Sequence, residues 1–453
     1  MQNTRRPEAF AIDFAAERVK GKNFDRLDQW FDLCEWVLSH PDQAKQDGVT
    51  LDDESRENLD WRSSRRAVGD FVGSCLEKDI NAPIFSRKRL GALLDKLCRQ
   101  FDWRLDGNKP VLRNQDDQLT EAINNTRSRA LEDLVNFGYW VRRQTRDAQA
   151  EVAEVTSILE RRISPDCEHP LTLPEYAILG MQYARICGLN EGWAVQNKSF
   201  FFPPDNSRAW VQAYGNFLRF NGPSKRTFEI FRDDIEFALD NLSELKPEKE
   251  MRRELTDTLG EHLFTYYLWE VYPLRGAESL LERYYQRTET DKHRWARLFD
   301  HVGRSLKDSG KQLRENLKRR IIEFFDWRFE QKAQTELQEF TFWLAAECLD
   351  AEWRLRSFAK ILEISHSNDV GISIQLEALR EMLERHTALV VECFAKLTDS
   401  AIRTGATYVQ TDKAKSILKA GLESEDPRVR ENAERARENL LRVGRFDFLD
   451  TSE

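Results

Sequence analysis

Apolar residues recur at helical spacing from early in the chain. In the first clear case the steps between apolar positions are 3, 3, 1, 3, 3 and 1, which places these side chains on one stripe of a helix. The positions are Phe24, Leu27, Trp30, Phe31, Cys34, Val37 and Leu38. The pattern predicts a helix that ends before Pro41, because a proline disfavours the α region for the residue that precedes it.

The same periodicity predicts helices along most of the remaining chain. In the first half they cover residues 61–76, 88–101, 126–143, 175–187, 207–220 and 224–240. In the second half they cover residues 248–271, 278–287, 291–308, 312–329, 336–348, 352–364, 373–386, 390–403, 412–421 and 427–443. No segment alternates apolar and polar residues with β-branched enrichment, so no sheet is expected. The predicted fold class is all-α, with about 70% helix, far above the globular average.

A proline-rich segment, residues 163–174, interrupts the helical pattern. It reads ISPDCEHPLTLP, and its prolines cannot occupy a helix interior. We therefore predict an N-terminal helical region, residues 1–163, and a C-terminal HEAT-like region, residues 174–453. The segment between them should be exposed and locally weak.

Short helices joined by short connections favour stacked helical pairs, as in an α-solenoid. The stretch DPRVRENA at residues 426–433 follows the D-P-x-V-R-x-x-A pattern that often opens the second helix of a HEAT repeat. Asp426 should cap this helix and Pro427 should occupy its first position, while Val429 and Ala433 should face the neighbouring repeat. No fixed period recurs, so the prediction is an irregular HEAT-like array, and an irregular α-helical globule is the alternative.

Composition and charge narrow the functional classes. Aromatic residues make up 11% of the chain, including 12 Trp and 27 Phe, which predicts an aromatic-rich core. The net charge of −9 argues against a general nucleic-acid or anionic-membrane surface. The scattered cysteines, the missing signal peptide and the missing apolar span lead us to expect a cytoplasmic protein with reduced thiols and no membrane contact.

Sequence motifs for catalysis or metal binding are missing. The segment GRSLKDSGKQ at residues 303–312 comes nearest to a P-loop. Its glycine spacing is too long, and Gln312 occupies the position of the Ser or Thr that binds magnesium. The chain also lacks HExxH, paired-cysteine and GxSxG motifs. We therefore predict no catalytic residue, no cofactor and no metal site.

One all-α class of enzyme remains as the alternative. HEPN ribonucleases use an Arg that precedes a His with four to six residues between them. That spacing occurs at Arg162/His169, Arg287/His293, Arg294/His301 and Arg380/His386. In an arginine-rich chain such pairs also arise by chance, so a HEPN-like ribonuclease is kept as the alternative function.

Basic residues beside tryptophans are the predicted partner-binding surface. Aromatic and arginine side chains dominate interface energetics. The first cluster is Trp61 with Arg62, Arg65 and Arg66, and the second is Trp140 with Arg142 and Arg143. The alternative is that the rings lie in the core while the arginines cover the flanks of their helices.

A series of short segments extends over most of the chain. These are NTRSRALE at 125–132, YWVRR at 139–143, FPP at 202–204, AW at 209–210, the helix at 228–238, LGEHL at 259–263, the stretch 298–306, and GRFDFL at 444–449. In this order they resemble the C-terminal helical region of large bacterial NTPases, of the STAND or P-loop type, that are linked to anti-phage defence. In that family the NTPase or effector part precedes the helical region, and here the P-loop is missing.

The resemblance implies a helical array that senses or holds a partner. The predicted function is therefore that of a non-catalytic binding, sensor or scaffold protein in bacterial anti-phage defence. Its partner would be a protein, either an NTPase or effector subunit or a phage component. A truncated remnant of a larger NTPase is a further alternative, and homo-oligomerisation is left open.

Overall fold

The computed structural model describes residues 6–40, 61–80, 86–100, 118–164, 166–243, 245, 254–310, 312–364, 371–404 and 411–448. Helix accounts for 77% of the structure, and the described residues contain no strand. The all-α prediction is confirmed. Within these residues, no helix has both the length and the apolar character that crossing a bilayer requires.

The first of two compact units comprises residues 1–222, 229–234 and 241–255. Its described helices are α1 (Pro7–Lys20), α2 (Leu27–Val37), α3 (Arg62–Leu76), α4 (Arg87–Cys98), α5 (Gln118–Asn124), α6 (Thr126–Thr145), α7 (Ala153–Ile163), α8 (Leu173–Leu189), α9 (Glu191–Gln196), α10 (Lys198–Phe201) and α11 (Ser207–Phe220). Helix α12 (Lys225–Asp240) contributes residues to both units, and Leu255, the first residue of the helix that follows it, also belongs to the first unit. The predicted break at 163–174 falls within the first unit, and the predicted division of the chain there stays a prediction.

The second unit comprises residues 223–228, 235–240 and 256–453. Its described helices are α13 (Leu255–Leu268), α14 (Leu280–Arg287), α15 (Lys292–Asp308), α16 (Glu315–Glu330), α17 (Gln334–Leu337), α18 (Thr341–Leu344), α19 (Ala351–Ile364), α20 (Ile372–Thr404), α21 (Thr411–Leu422) and α22 (Pro427–Arg442). Two 3₁₀ turns, Gln338–Phe340 and Phe446–Phe448, complete it.

Small residues let the helices of the first unit approach closely. Helix α1 packs on α3 through a face that includes Ala9, Ala15 and Ala16. Helix α8 packs on α11, where a side chain at Gly180 would collide with the main chain of Ala213. Large aromatic side chains are also buried in this unit, as the composition predicts. Those buried in this unit include Phe31, Phe71, Trp140, Tyr183, Trp210 and Tyr214.

A buried ionic triad fastens the proline-rich segment. Glu175 accepts hydrogen bonds from Arg127 at 3.0 Å and from Arg162 at 2.6 Å, and all three side chains are buried. Glu175 also completes a capping box with Thr172 at the start of α8. Arg162 donates in addition to the carbonyl oxygens of His169 and Pro170. A buried guanidinium therefore binds two carbonyl oxygens of the segment, while Asp166, Glu168 and Pro170 are exposed. The predicted local weakness of the segment stays a prediction.

The second unit is built around stacked aromatic rings. Trp343 stacks on Phe299 with ring centroids 4.7 Å apart, and its indole N–H donates to the Phe299 carbonyl oxygen. A second buried ion pair joins Arg328 to Glu336 at 2.8 Å. The rings of Tyr285, Trp295 and Trp327 surround this guanidinium at 3.7–4.9 Å. Burial raises the pKa of Glu336, and Arg328 opposes that shift.

The helix predicted from the D-P-x-V-R pattern is α22. The Asp426 carboxylate accepts from the backbone N–H of Arg428 at 2.9 Å, and Pro427 begins the helix. Val429 and Ala433 are buried, and Gly421 of α21 lies against Ala433. The predicted cap and buried face are thus confirmed.

Several helix boundaries differ from the predictions. Helices α1, α5, α7, α9 and α10 have no counterpart among the predicted segments. The segment predicted as one helix at 336–348 is instead two short α-helices joined by a 3₁₀ turn, with non-helical backbone angles at Glu339. The helices predicted at 373–386 and 390–403 together form α20. This helix has a kink at His386, where the backbone dihedral angles are not helical. Residues 248–253 of another predicted helix lie outside the described residues.

Candidate functional site

The first predicted cluster lies at the start of α3. Trp61 is buried. Its ring stacks on the His40 ring with centroids 4.2 Å apart, and the Arg6 guanidinium lies over it, 3.8 Å from the ring centroid. Arg65 is buried as well and donates to the His40 carbonyl oxygen at 2.7 Å. Arg65 therefore binds a main-chain oxygen just beyond the end of α2, where a cation is favourable.

Of the other two arginines in this cluster, the structure describes the side chain of Arg66 only. Arg66 is exposed, and the Arg62 side chain lies outside the described residues. Among the described side chains of this cluster, Arg66 is the one at the surface.

The second predicted cluster lies at the end of α6. Trp140 is fully buried and stacks on Phe137. Arg142 donates to the carbonyl oxygens of Gly188 and Leu189, the last two residues of α8, at 2.7 and 2.8 Å. Arg143 is exposed, and it donates to the carbonyl oxygen of Leu76, the last residue of α3.

The two clusters therefore share one arrangement. Their indole rings lie in the core, and three of their arginines bind carbonyl oxygens at the ends of neighbouring helices, which otherwise lack intrahelical partners. The expectation that Trp61 and Trp140 are exposed anchors is wrong, because both rings are covered. Partner binding by the arginines of the two clusters stays a prediction.

Three of the four Arg–His pairs contain a residue that belongs to a structural ion pair or to a break in a helix. Arg162 is part of the buried triad, Arg287 pairs with Asp240 at 2.8 Å, and His386 lies at the break in α20. The remaining pair, Arg294 and His301, lies on α15 within a group of charged side chains.

This charged cluster is formed by α13 and α15 in the second unit. Asp257 and Glu261 are one turn apart on α13, and Arg294, Arg297 and His301 follow one face of α15. Asp257 pairs with Arg294 at 3.3 Å and with Arg297 at 2.7 Å. His301 Nδ1 lies 3.5 Å from Glu261 Oε1. The arrangement places an imidazole beside a carboxylate, which is the pairing that general acid–base catalysis uses.

Exposure and neighbouring groups define what this cluster can do. The His301 side chain is 40% exposed, whereas that of Glu261 is 13% exposed. The hydroxyl of Tyr284 lies against Gly260 on the same face of α13, and burial raises the pKa of this phenol. The imidazole is thus open to solvent while the groups beneath it are covered. Among the described residues, no set of His, Cys, Asp and Glu side chains is placed to hold a metal ion.

An aromatic surface on α1 is a second feature that the sequence patterns did not reveal. Phe10 and Phe14 are each 56% exposed and lie one turn apart. Phe14 makes an edge-to-face contact with Trp30 of α2 at 6.4 Å, and the Arg18 guanidinium lies 5.7 Å from its ring. The opposite face of α1 is buried. In the sequence, residues 7–20 place apolar side chains on more than one face of the helix. This pattern indicates an exposed apolar surface, because one face alone is enough to pack against the core.

Comparisons with known proteins assign no family. No family model matches the sequence, and no curated protein matches it. Among solved structures, a crystal structure of an engineered protein is 12% identical, covers 96% of this chain and 95% of its own, and gives a TM-score of 0.30. A likeness at this TM-score indicates neither a fold nor a function.

Proposed function

We propose that the chain is a HEAT-like helical module that binds a protein partner through the aromatic surface formed by Phe10, Phe14 and Trp30. The observation that carries the proposal is the exposure of two phenylalanine rings, 56% each, on a helix whose other face is already buried. Apolar residues grouped in this way usually mark an interaction site. Rings at positions i and i+4 are also the anchors that an apolar groove in a partner accepts.

Packing between sequence neighbours supports the repeat-like part of the proposal. In the first unit the successive contacts are α1 with α3, α3 with α6, α6 with α8, and α8 with α11. In the second unit α20 packs on α19, α21 and α22. These helices thus pack largely on helices near them in the chain, which is the pattern expected of a quasi-one-dimensional array. The resemblance to anti-phage NTPases favours an NTPase, an effector subunit or a phage component as the partner.

The test is a double substitution on the aromatic surface. Phe10→Asp with Phe14→Asp should abolish capture of the partner, because the anchors become charged, while the midpoint of thermal unfolding changes little. Phe446→Asp is the matched control, since Phe446 is also an exposed phenylalanine, at 66%. Immunoprecipitation before and after phage challenge would compare the captured proteins. If the double variant captures the same set as the control, the binding surface lies elsewhere.

A second candidate function is RNA cleavage at the α13–α15 cluster. The specific observation is the half-exposed His301 beside Glu261, seven residues after Arg294. An imidazole so placed could remove the proton of a ribose 2′-hydroxyl. The purified chain should then cleave RNA, His301→Ala should abolish cleavage, and His293→Ala, at an exposed position of the same helix, should not. Cleavage that survives His301→Ala would remove this candidate.

A further inference from the structure

A cavity in the second unit lies where three helix ends meet. Its volume is about 430 Å³, within the range of small-molecule sites. The lining comes from the start of α12, the end of α13 and the start of α16. The lining residues are Ser224, Lys225, Leu268, Trp269, Glu270, Arg314, Asn316 and Leu317.

Contacts between the three helices, partly buried, hold the walls of the cavity. Thr227 and Phe228, in the first turn of α12, contact Tyr266 of α13 through a 3.2 Å hydroxyl pair and a 5.0 Å ring contact. On the other side, the Tyr267 hydroxyl donates to the Arg320 carbonyl oxygen of α16 at 2.8 Å. The cavity is therefore formed before any ligand arrives, which lowers the entropic cost of binding.

Positively charged side chains outnumber negatively charged ones in the lining of the cavity. Neither Lys225 nor Arg314 forms an ion pair with any residue in the described part of the chain. Other cations of α16 are occupied, since Lys318 pairs with Glu315 at 2.7 Å. Glu270 is the carboxylate among the lining residues, so two cations face one anion. The α12 and α16 dipoles add to this positive potential, because both cations stand at helix N-termini.

Trp269 supplies the aromatic part of the lining, beside the apolar side chains of Leu268 and Leu317. Its side chain is half-buried, and its ring makes an edge contact with Tyr266 at 6.3 Å. A partly open indole beside cations suits a ligand that joins an anion to a flat ring. Phosphate forms strong charge-assisted hydrogen bonds with Arg and Lys, and nucleic-acid bases stack on aromatic side chains.

We propose that this cavity binds a nucleotide, with its phosphate held by Lys225 and Arg314 and its base placed against Trp269. The ligand is either a free nucleotide or the phosphorylated end of a single-stranded nucleic acid. The local charge permits this in spite of the net charge of −9, because phosphate responds to the nearest charges more than to distant ones screened by salt.

Calorimetric titration of the full chain with AMP, inorganic phosphate and adenosine tests the proposal. AMP should bind at least about tenfold more tightly than either fragment, because only AMP uses both the cations and the indole. Lys225→Gln with Arg314→Gln should weaken AMP binding by about tenfold or more. Trp269→Leu should weaken AMP binding and leave phosphate binding unchanged. Arg319→Gln, an exposed cation on the same helix, is the matched control and should bind AMP like the unchanged chain.

A 5′-phosphorylated oligoadenylate of ten nucleotides separates the two sources of the ligand. Tighter binding of this oligomer than of AMP, lost in the Lys225/Arg314 double variant, would assign the site to a nucleic-acid end. The proposal is overturned if no probe binds at millimolar concentration. It is also overturned if the double variant binds its probe as tightly as Arg319→Gln does.

Discussion

Single arginines near Trp61 and Trp140 show how the surroundings of a residue decide its role. Arg65, Arg142 and Arg143 each donate to a carbonyl oxygen at or just beyond the end of another helix. A guanidinium suits this position because its fork of N–H groups can bind several oxygens and its charge complements the helix dipole. Substitutions at these positions therefore act first on stability.

Arg65→Ala should lower the free energy of unfolding by about 1–3 kcal/mol, because it deprives the His40 carbonyl of its donor and opens a buried space. Arg66→Ala, one residue later and exposed, should change it by less than about 0.5 kcal/mol. Urea denaturation followed by circular dichroism measures both. Equal effects would mean that Arg65 is not a cap, and that a partner-binding role for it is open again.

At the scale of the helix pair, close packing depends on glycine residues. Gly180 on α8 faces the main chain of Ala213 on α11, so that a Cβ would overlap the carbonyl oxygen. Gly192 on α9 faces open space. Both glycines lie within helices, and the neighbouring helix decides which of them is in close contact.

Gly180→Ala should destabilise the chain by about 3 kcal/mol or more, because backbone atoms must move to admit the methyl group. Gly192→Ala is the control and should leave stability unchanged or raise it slightly, since alanine favours helix. Thermal unfolding of the two variants gives the comparison. A mild effect at Gly180 would mean that α8 and α11 lie farther apart than described.

At the scale of the whole molecule, contacts between sequence neighbours predict local rather than global responses. Gly421 of α21 lies against Ala433 of α22 and Val391 of α20. Gly421→Val should push these three helices apart. In an array stabilised by nearest-neighbour contacts, the damage should remain near its origin.

Hydrogen exchange measured by mass spectrometry tests this response. In Gly421→Val, amides of α20 to α22 should exchange about tenfold faster or more, while those of α13 to α16 keep their protection. A uniform loss of protection over the second unit would favour a cooperative globule and count against the repeat-like arrangement.

The sequence by itself determined the all-α class and most helices of the second unit. It also determined the cap at Asp426 and the buried positions Val429 and Ala433, because periodicity and capping act within a few residues. It named Arg294 and His301 as one of four candidate pairs without distinguishing that pair from the others, and it did not locate the aromatic surface on α1. Burial of Trp61 and Trp140, exposure of Phe10 and Phe14, and the approach of His301 to Glu261 depend on helices remote in the chain. Tertiary structure alone decided these features, since an apolar or charged side chain takes its role from what the neighbouring helix places against it.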